Sequence, residues 1–173
     1  MHILFWRRAP LFDPSPCQES AMKKSLPLIL SAAALLAVSG CRSGASPQLK
    51  RDMASMTAAQ RDAVGRDVAR RFRHEKASIE NRDIRVKDIS YRAADDTFVY
   101  SMVLKNYHDV RKVDPARRRQ LEAVYRRDIR KETCHNRELR DLMVHGRYAI
   151  EYRIFTTNGK MLTAPARVTA RDC

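Results

Sequence analysis

The stretch that most constrains this chain is a run of thirteen apolar residues, Leu26 to Val38, because it separates the part that can fold from the part that precedes it. Met22-Lys23-Lys24-Ser25 comes before the run and Ser39-Gly40-Cys41 ends it. A helix that crosses a bilayer needs roughly 20 apolar residues, so the run is short for a span and suits the centre of an export signal. The order is that of such a signal: positive residues, an apolar run, then small residues. A globular domain therefore has to be built from the residues after Cys41. Residues 1–21 fit neither a signal nor an element. Pro10, Pro14 and Pro16 crowd them, and they read as an over-extended gene start, with translation beginning at Met22.

Val38-Ser39-Gly40-Cys41 resembles the lipobox of bacterial lipoproteins. The resemblance implies cleavage before Cys41, a diacylglyceryl group on its thiol and a palmitate-type acyl chain on its amine. Residue 42 is Arg, where an aspartate would favour the inner membrane. The resemblance thus implies anchoring to the outer membrane, facing the periplasm. The alternative is an ordinary secretory signal with a chance cysteine near the cut. Residues 42–55, with Ser43, Gly44, Ser46 and Pro47, read as a flexible tether, and 56–173 as a single periplasmic domain.

Loss of residues 1–41 removes four of the 34 Lys+Arg and two of the 20 Asp+Glu, leaving 132 residues with a formal charge of +12. That is one modest domain, and its charge favours anionic partners. After export these are a membrane surface, lipopolysaccharide phosphates or an acidic envelope protein. Nucleic acid is not expected. The bland alternative is an arginine-rich composition that serves solubility. Cys134 and Cys173 are then two thiols in an oxidising compartment, and a disulfide between them is expected. It would stabilise the fold by about 3–4 kcal/mol on the chain-entropy model. A free catalytic thiol is the alternative.

Thr57 and Gln60 read as a capping box that opens a basic helix over 57–75, with Val64, Val68 and Phe72 as its apolar stripe. Residues 83–92 and 97–104 alternate as two strands of a hairpin, with a bulge at Lys87-Asp88. Asp114-Pro115 opens a second basic helix, interrupted at 132–134 and continued to Gly146. Tyr148 to Phe155 alternates, Asn158-Gly159 turns, and a strand returns over 161–170 with Pro165 at an edge or bulge. The expected fold is α+β in the order α-β-β-α-α-β-β. Two hairpins would form an antiparallel four-stranded sheet with helices on one face.

No catalytic constellation, metal-ligand spacing or cofactor motif emerges. The candidate anion-binding residues are Arg66 and Arg70 on the first helix, and Arg117, Arg118, Arg119, Arg126 and Arg127 on the second. If both helices share one side of the sheet, these arginines form a single basic layer. Its expected ligand is anionic lipid or lipopolysaccharide.

The C-terminal half carries a resemblance. Thr133-Cys134, the helix Arg137 to Met143, Gly146, the strand Tyr148 to Arg153, Asn158-Gly159-Lys160 and terminal Asp172-Cys173 follow the order seen in the quorum-sensing-regulated virulence factor family. Those small envelope proteins imply an α/β domain with a virulence-related role and no catalytic residues to transfer. By analogy, small lipoproteins with a helix, a sheet and a disulfide also resemble pilotins, which would imply a secretin partner. The expected function is a non-enzymatic accessory lipoprotein. A small periplasmic enzyme with an unrecognised site is the alternative.

Overall fold

Helix starts follow the capping chemistry of the sequence. The computed structural model describes residues 45–173. Ser46 caps α1 (Pro47–Ser55), Thr57 and Gln60 form a reciprocal capping box at α2 (Ala58–His74), and Asp114 accepts from the amides of Ala116 and Arg117 at α4 (Pro115–His135). Each cap satisfies amides that the first helical turn leaves unbonded. A four-residue α3 (Lys76–Ile79) follows α2, and Asn136 caps α5 (Arg137–Val144). α4 runs unbroken through the expected interruption at 132–134, and the chain breaks at Asn136 instead. Helix α1 lies inside the segment 42–55, where the sequence suggested a tether.

The sheet has the order β1-β2-β3-β4, formed by β1 (Ile84–Arg92), β2 (Thr97–Leu104), β3 (Ala149–Phe155) and β4 (Ala166–Val168). β1 and β2 pair antiparallel, and their register slips between Val86 and Asp88, where the bulge was expected. β3 and β4 also pair antiparallel. β2 and β3 pair parallel, however, so the sheet is mixed and the all-antiparallel expectation is corrected. The physical reason is the connection. Parallel neighbours need a long crossover, and here α4 and α5 carry the chain back to the end of the sheet where β2 began. The returning strand is shorter than 161–170. Met161 bridges Phe155 and Leu162 donates to the Ile154 carbonyl, but the ladder resumes only at Ala166, past Pro165, which has no amide to donate.

One face of the sheet builds the core. Ile89, Phe98, Tyr100, Met102, Ile150, Tyr152, Ile154 and Val168 join Val68 and Ala69 of α2, Ile129 of α4 and Met143 of α5 in a single cluster. α2 and α4 therefore lie on the same side of the sheet. Aromatic residues pack within it: Tyr100 stacks on Tyr152 at 5.3 Å, while Phe98 meets Tyr148 at 5.1 Å and Tyr91 meets Phe98 at 5.5 Å with tilted rings. Gly65 lets α2 approach the sheet, since a Cβ there would sit 2.5 Å from the Tyr91 ring. Gly146 acts in the same way beneath Tyr148, while the left-handed residue after α5 is Arg147, at φ 62°.

Candidate functional site

Among the described residues no group of His, Cys, Asp and Glu could hold a metal ion, and no helix is long and apolar enough to cross a membrane. The two cysteines among the described residues form a disulfide, with Cys134 bonded to Cys173 at 2.03 Å. It ties the end of α4 to the last residue of the chain. Beside it, the buried hydroxyls of Thr133 and Tyr152 share a hydrogen bond of 3.0 Å, and burial pushes the Tyr152 phenol up to about 12.

The sheet face opposite the helices carries a lattice of ion pairs that sequence reasoning missed. Arg92 reaches Asp95 at 2.7 Å and Glu151 at 3.0 Å, while Arg153 reaches Glu151 at 2.7 Å and Arg167 reaches Asp95 at 3.0 Å. The Arg92 guanidinium holds Asp95 down to about 2 and also lowers Glu151, with Arg153 adding to the second effect. Both carboxylates are thus fixed in the charged state and saturated by donors. That arrangement staples neighbouring strands and supplies no acid or base near neutral pH.

The expected basic layer divides once side chains are placed. Every arginine of α2 faces a carboxylate. Arg66 pairs with Asp62, Arg70 and Arg71 with Asp67, Arg61 with Asp96 and Arg73 with Asp88. On α4, Arg126 pairs with Glu122 at 3.1 Å and Arg127 with Asp128 at 2.9 Å. Arg66, Arg70, Arg126 and Arg127 thus share their charge with carboxylates at i−4, i−3, i−4 and i+1, while their side chains stay more than half exposed. Arg117 donates to Gln120 at 3.0 Å, and Arg118 and Arg119 are exposed with no ion pair among the described residues.

Arg118, Arg119 and Glu122 line an open depression of about 390 Å³ between the turn Val110–Lys112 and the start of α4, together with Val110, Val113 and Pro115. Arg111, also on its rim, is held by Asp109 at 2.7 Å, and that guanidinium keeps the Asp109 carboxyl well below the usual range. α4 has no acidic residue in its first turn. Three arginines near a helix N-terminus oppose its macrodipole, at a cost of about 0.3–1 kcal/mol each. Their charge and the dipole together concentrate positive potential at this end of the helix.

A second polar cluster ties the N-terminal segment to α5. Asp141, 7% exposed, accepts from the Ala45 amide at 2.9 Å and from Lys50 Nζ at 3.0 Å, with His145 Nε2 at 3.7 Å. Nothing in the sequence singled Asp141 out, since a lone aspartate in an amphipathic helix reads as a solvated position. Cys41 and the signal lie outside the described residues.

No family model and no curated sequence matches the chain. Among solved structures, a Pseudomonas aeruginosa protein described as secreted is similar at 13% identity, with a TM-score of 0.47, over 65% of this chain and 96% of its own. The type II secretion system pilotin AspS of Vibrio cholerae is similar at 17% identity, with a TM-score of 0.45, over 66% of this chain and 97% of its own. A pilotin from the Vibrio vulnificus type 2 secretion system is similar at 16% identity, with a TM-score of 0.40, over 74% of this chain and 97% of its own.

Proposed function

We propose that the chain is a non-enzymatic accessory lipoprotein of the cell envelope, held by lipid on Cys41, that docks an acidic partner surface at the start of α4. The observation that carries this reading is the uneven pairing of its arginines. Those of α2 are engaged by carboxylates, whereas Arg118 and Arg119 have no ion pair among the described residues and lie beside an open depression whose carboxylate, Glu122, is engaged by Arg126. Charge set against a helix dipole breaks a local rule of stability, and such breaks gather at functional positions. An acidic patch that carries one or two apolar side chains fits this surface. A role in virulence and a pilotin-like role, with a secretin as the acidic partner, are narrower forms of the same reading.

The test is a titration of the chain from residue 43 onward with a fluorescent glutamate-rich peptide at several salt concentrations. Affinity should fall as salt screens the rim. The double variant Arg118→Glu/Arg119→Glu should weaken binding about tenfold or more, and Arg66→Glu/Arg70→Glu should change it little. Equal losses for the two pairs, or salt-independent binding, would show the basic excess to be compositional only.

A further inference from the structure

The hydrogen bond from Ala45 to Asp141 fixes where the chain leaves the domain on its way to Cys41. Only residues 42–44 lie between, and four residue steps reach at most ~14 Å. If Cys41 carries the lipid, the surface around Asp141 cannot rest farther than that from the head groups.

That surface has the chemistry of a membrane contact. On α5, Arg137, Arg140, Asp141 and Val144 follow the i, i+3, i+4, i+7 spacing that places residues on one side of a helix. Asp141 is covered by Ala45 and Lys50, so the N-terminal segment runs along this same side. Arg137 and Arg140 are exposed and have no ion pair among the described residues. Val144 is 45% exposed, one of two large apolar residues so exposed among those described. An apolar side chain flanked by cations suits a layer of anionic head groups. The start of α4 lies elsewhere: Arg118 is about 26 Å along the helix from its end at His135, and α5 begins two residues later.

We propose that α5 is the membrane-facing surface of the lipidated protein. Arg137 and Arg140 contact anionic phospholipid head groups around Val144, and the Asp141 clamp on Ala45 and Lys50 sets this orientation. The inference rests on lipidation of Cys41, and it turns the depression at the start of α4 away from the anchoring membrane, toward a partner in the periplasm.

The experiment uses the full precursor, processed in cells, with an environment-sensitive fluorophore on Val144→Cys or on Arg119→Cys. The purified lipidated protein is placed in phosphatidylcholine vesicles with or without phosphatidylglycerol, and quenching by brominated lipid is read. The label at 144 should be quenched and the label at 119 should not. Phosphatidylglycerol should strengthen the contrast, and Arg137→Glu/Arg140→Glu should reduce docking of position 144 by about fivefold per charge. Lys50→Gln and Asp141→Asn should bring the two labels closer together; Lys50→Gln keeps this arm readable if Asp141→Asn fails to fold. Equal quenching at 144 and 119 in the parent chain, or none at 144, overturns the proposal, as does a contrast that requires lipopolysaccharide in place of phosphatidylglycerol. Mass spectrometry separates the two levels. An unacylated Cys41 removes the anchor and the proposal together, whereas an acylated chain with position 144 unquenched removes the orientation alone.

Discussion

α2 and the start of α4 are both rich in arginine and lie on the same side of one sheet, yet they present different surfaces. α2 carries Asp62 and Asp67 at helical spacing from its arginines, and Asp88 and Asp96 reach it from the neighbouring hairpin. Its charge is spent within the molecule. α4 opens with three arginines, and Asp114 before them is occupied as a cap. Arginine number is thus a poor guide to an anion surface; Glu122 lies one helical turn from Arg118 and Arg119 yet pairs with Arg126 instead. The helices also differ in what holds them. α2 relies on a close approach at Gly65 and on Phe72 against Phe98 at 6.3 Å, whereas α4 has a covalent tie at Cys134.

The largest effect expected from breaking this contrast is loss of the tie. Cys173→Ser should lower the free energy of unfolding by about 3–4 kcal/mol, as closure of a loop with separation 39 implies. Amide exchange should rise at the end of α4 and in α5 while α2 stays protected. Matching exchange in α2 would show that the helices do not differ in anchoring.

Gly65→Ala addresses α2 alone. The Tyr91 ring in its way is held by a 2.5 Å hydrogen bond to Asp96, so it cannot swing aside freely. A cost of about 1–3 kcal/mol in thermal or urea melts is expected. A neutral result would mean that α2 slides on the sheet.

Asp62→Asn/Asp67→Asn sharpens the contrast from the other side. The arginines of these pairs are about two-thirds exposed and Asp62 and Asp67 are half-buried, so stability should change by no more than about 1 kcal/mol. The freed arginines should nevertheless raise affinity for the acidic peptide. No gain would place the binding determinant in the depression rather than in unpaired charge.

The smallest effect concerns acid. Asp95 is held down to about 2 by Arg92, so its folded value lies below its unfolded one. Its contribution is present above the unfolded value, near 4, and is lost as pH falls toward 2. Melting temperature should decline across that window. Arg92→Gln should start lower at neutral pH and decline less, with the two curves converging near pH 2.

Capping at Thr57 and Asp114, the bulge beside Lys87, the two hairpins, the core stripe of each strand and the pairing of the last two cysteines were legible in the residues, because each depends on neighbours in the chain or on a simple count. Arg66 with Asp62 and Arg126 with Glu122 were legible too, at i, i+4. The parallel pairing of β2 with β3 was not legible, since hairpin signals fix only consecutive strands and say nothing about how two hairpins meet. The lattice around Glu151 and the clamp at Asp141 were equally hidden. Their partners lie 59 and 96 residues away, and only the closed fold brings those charges within hydrogen-bonding distance. Local physics wrote the elements and their faces; long-range contacts decided which charges are left for a partner.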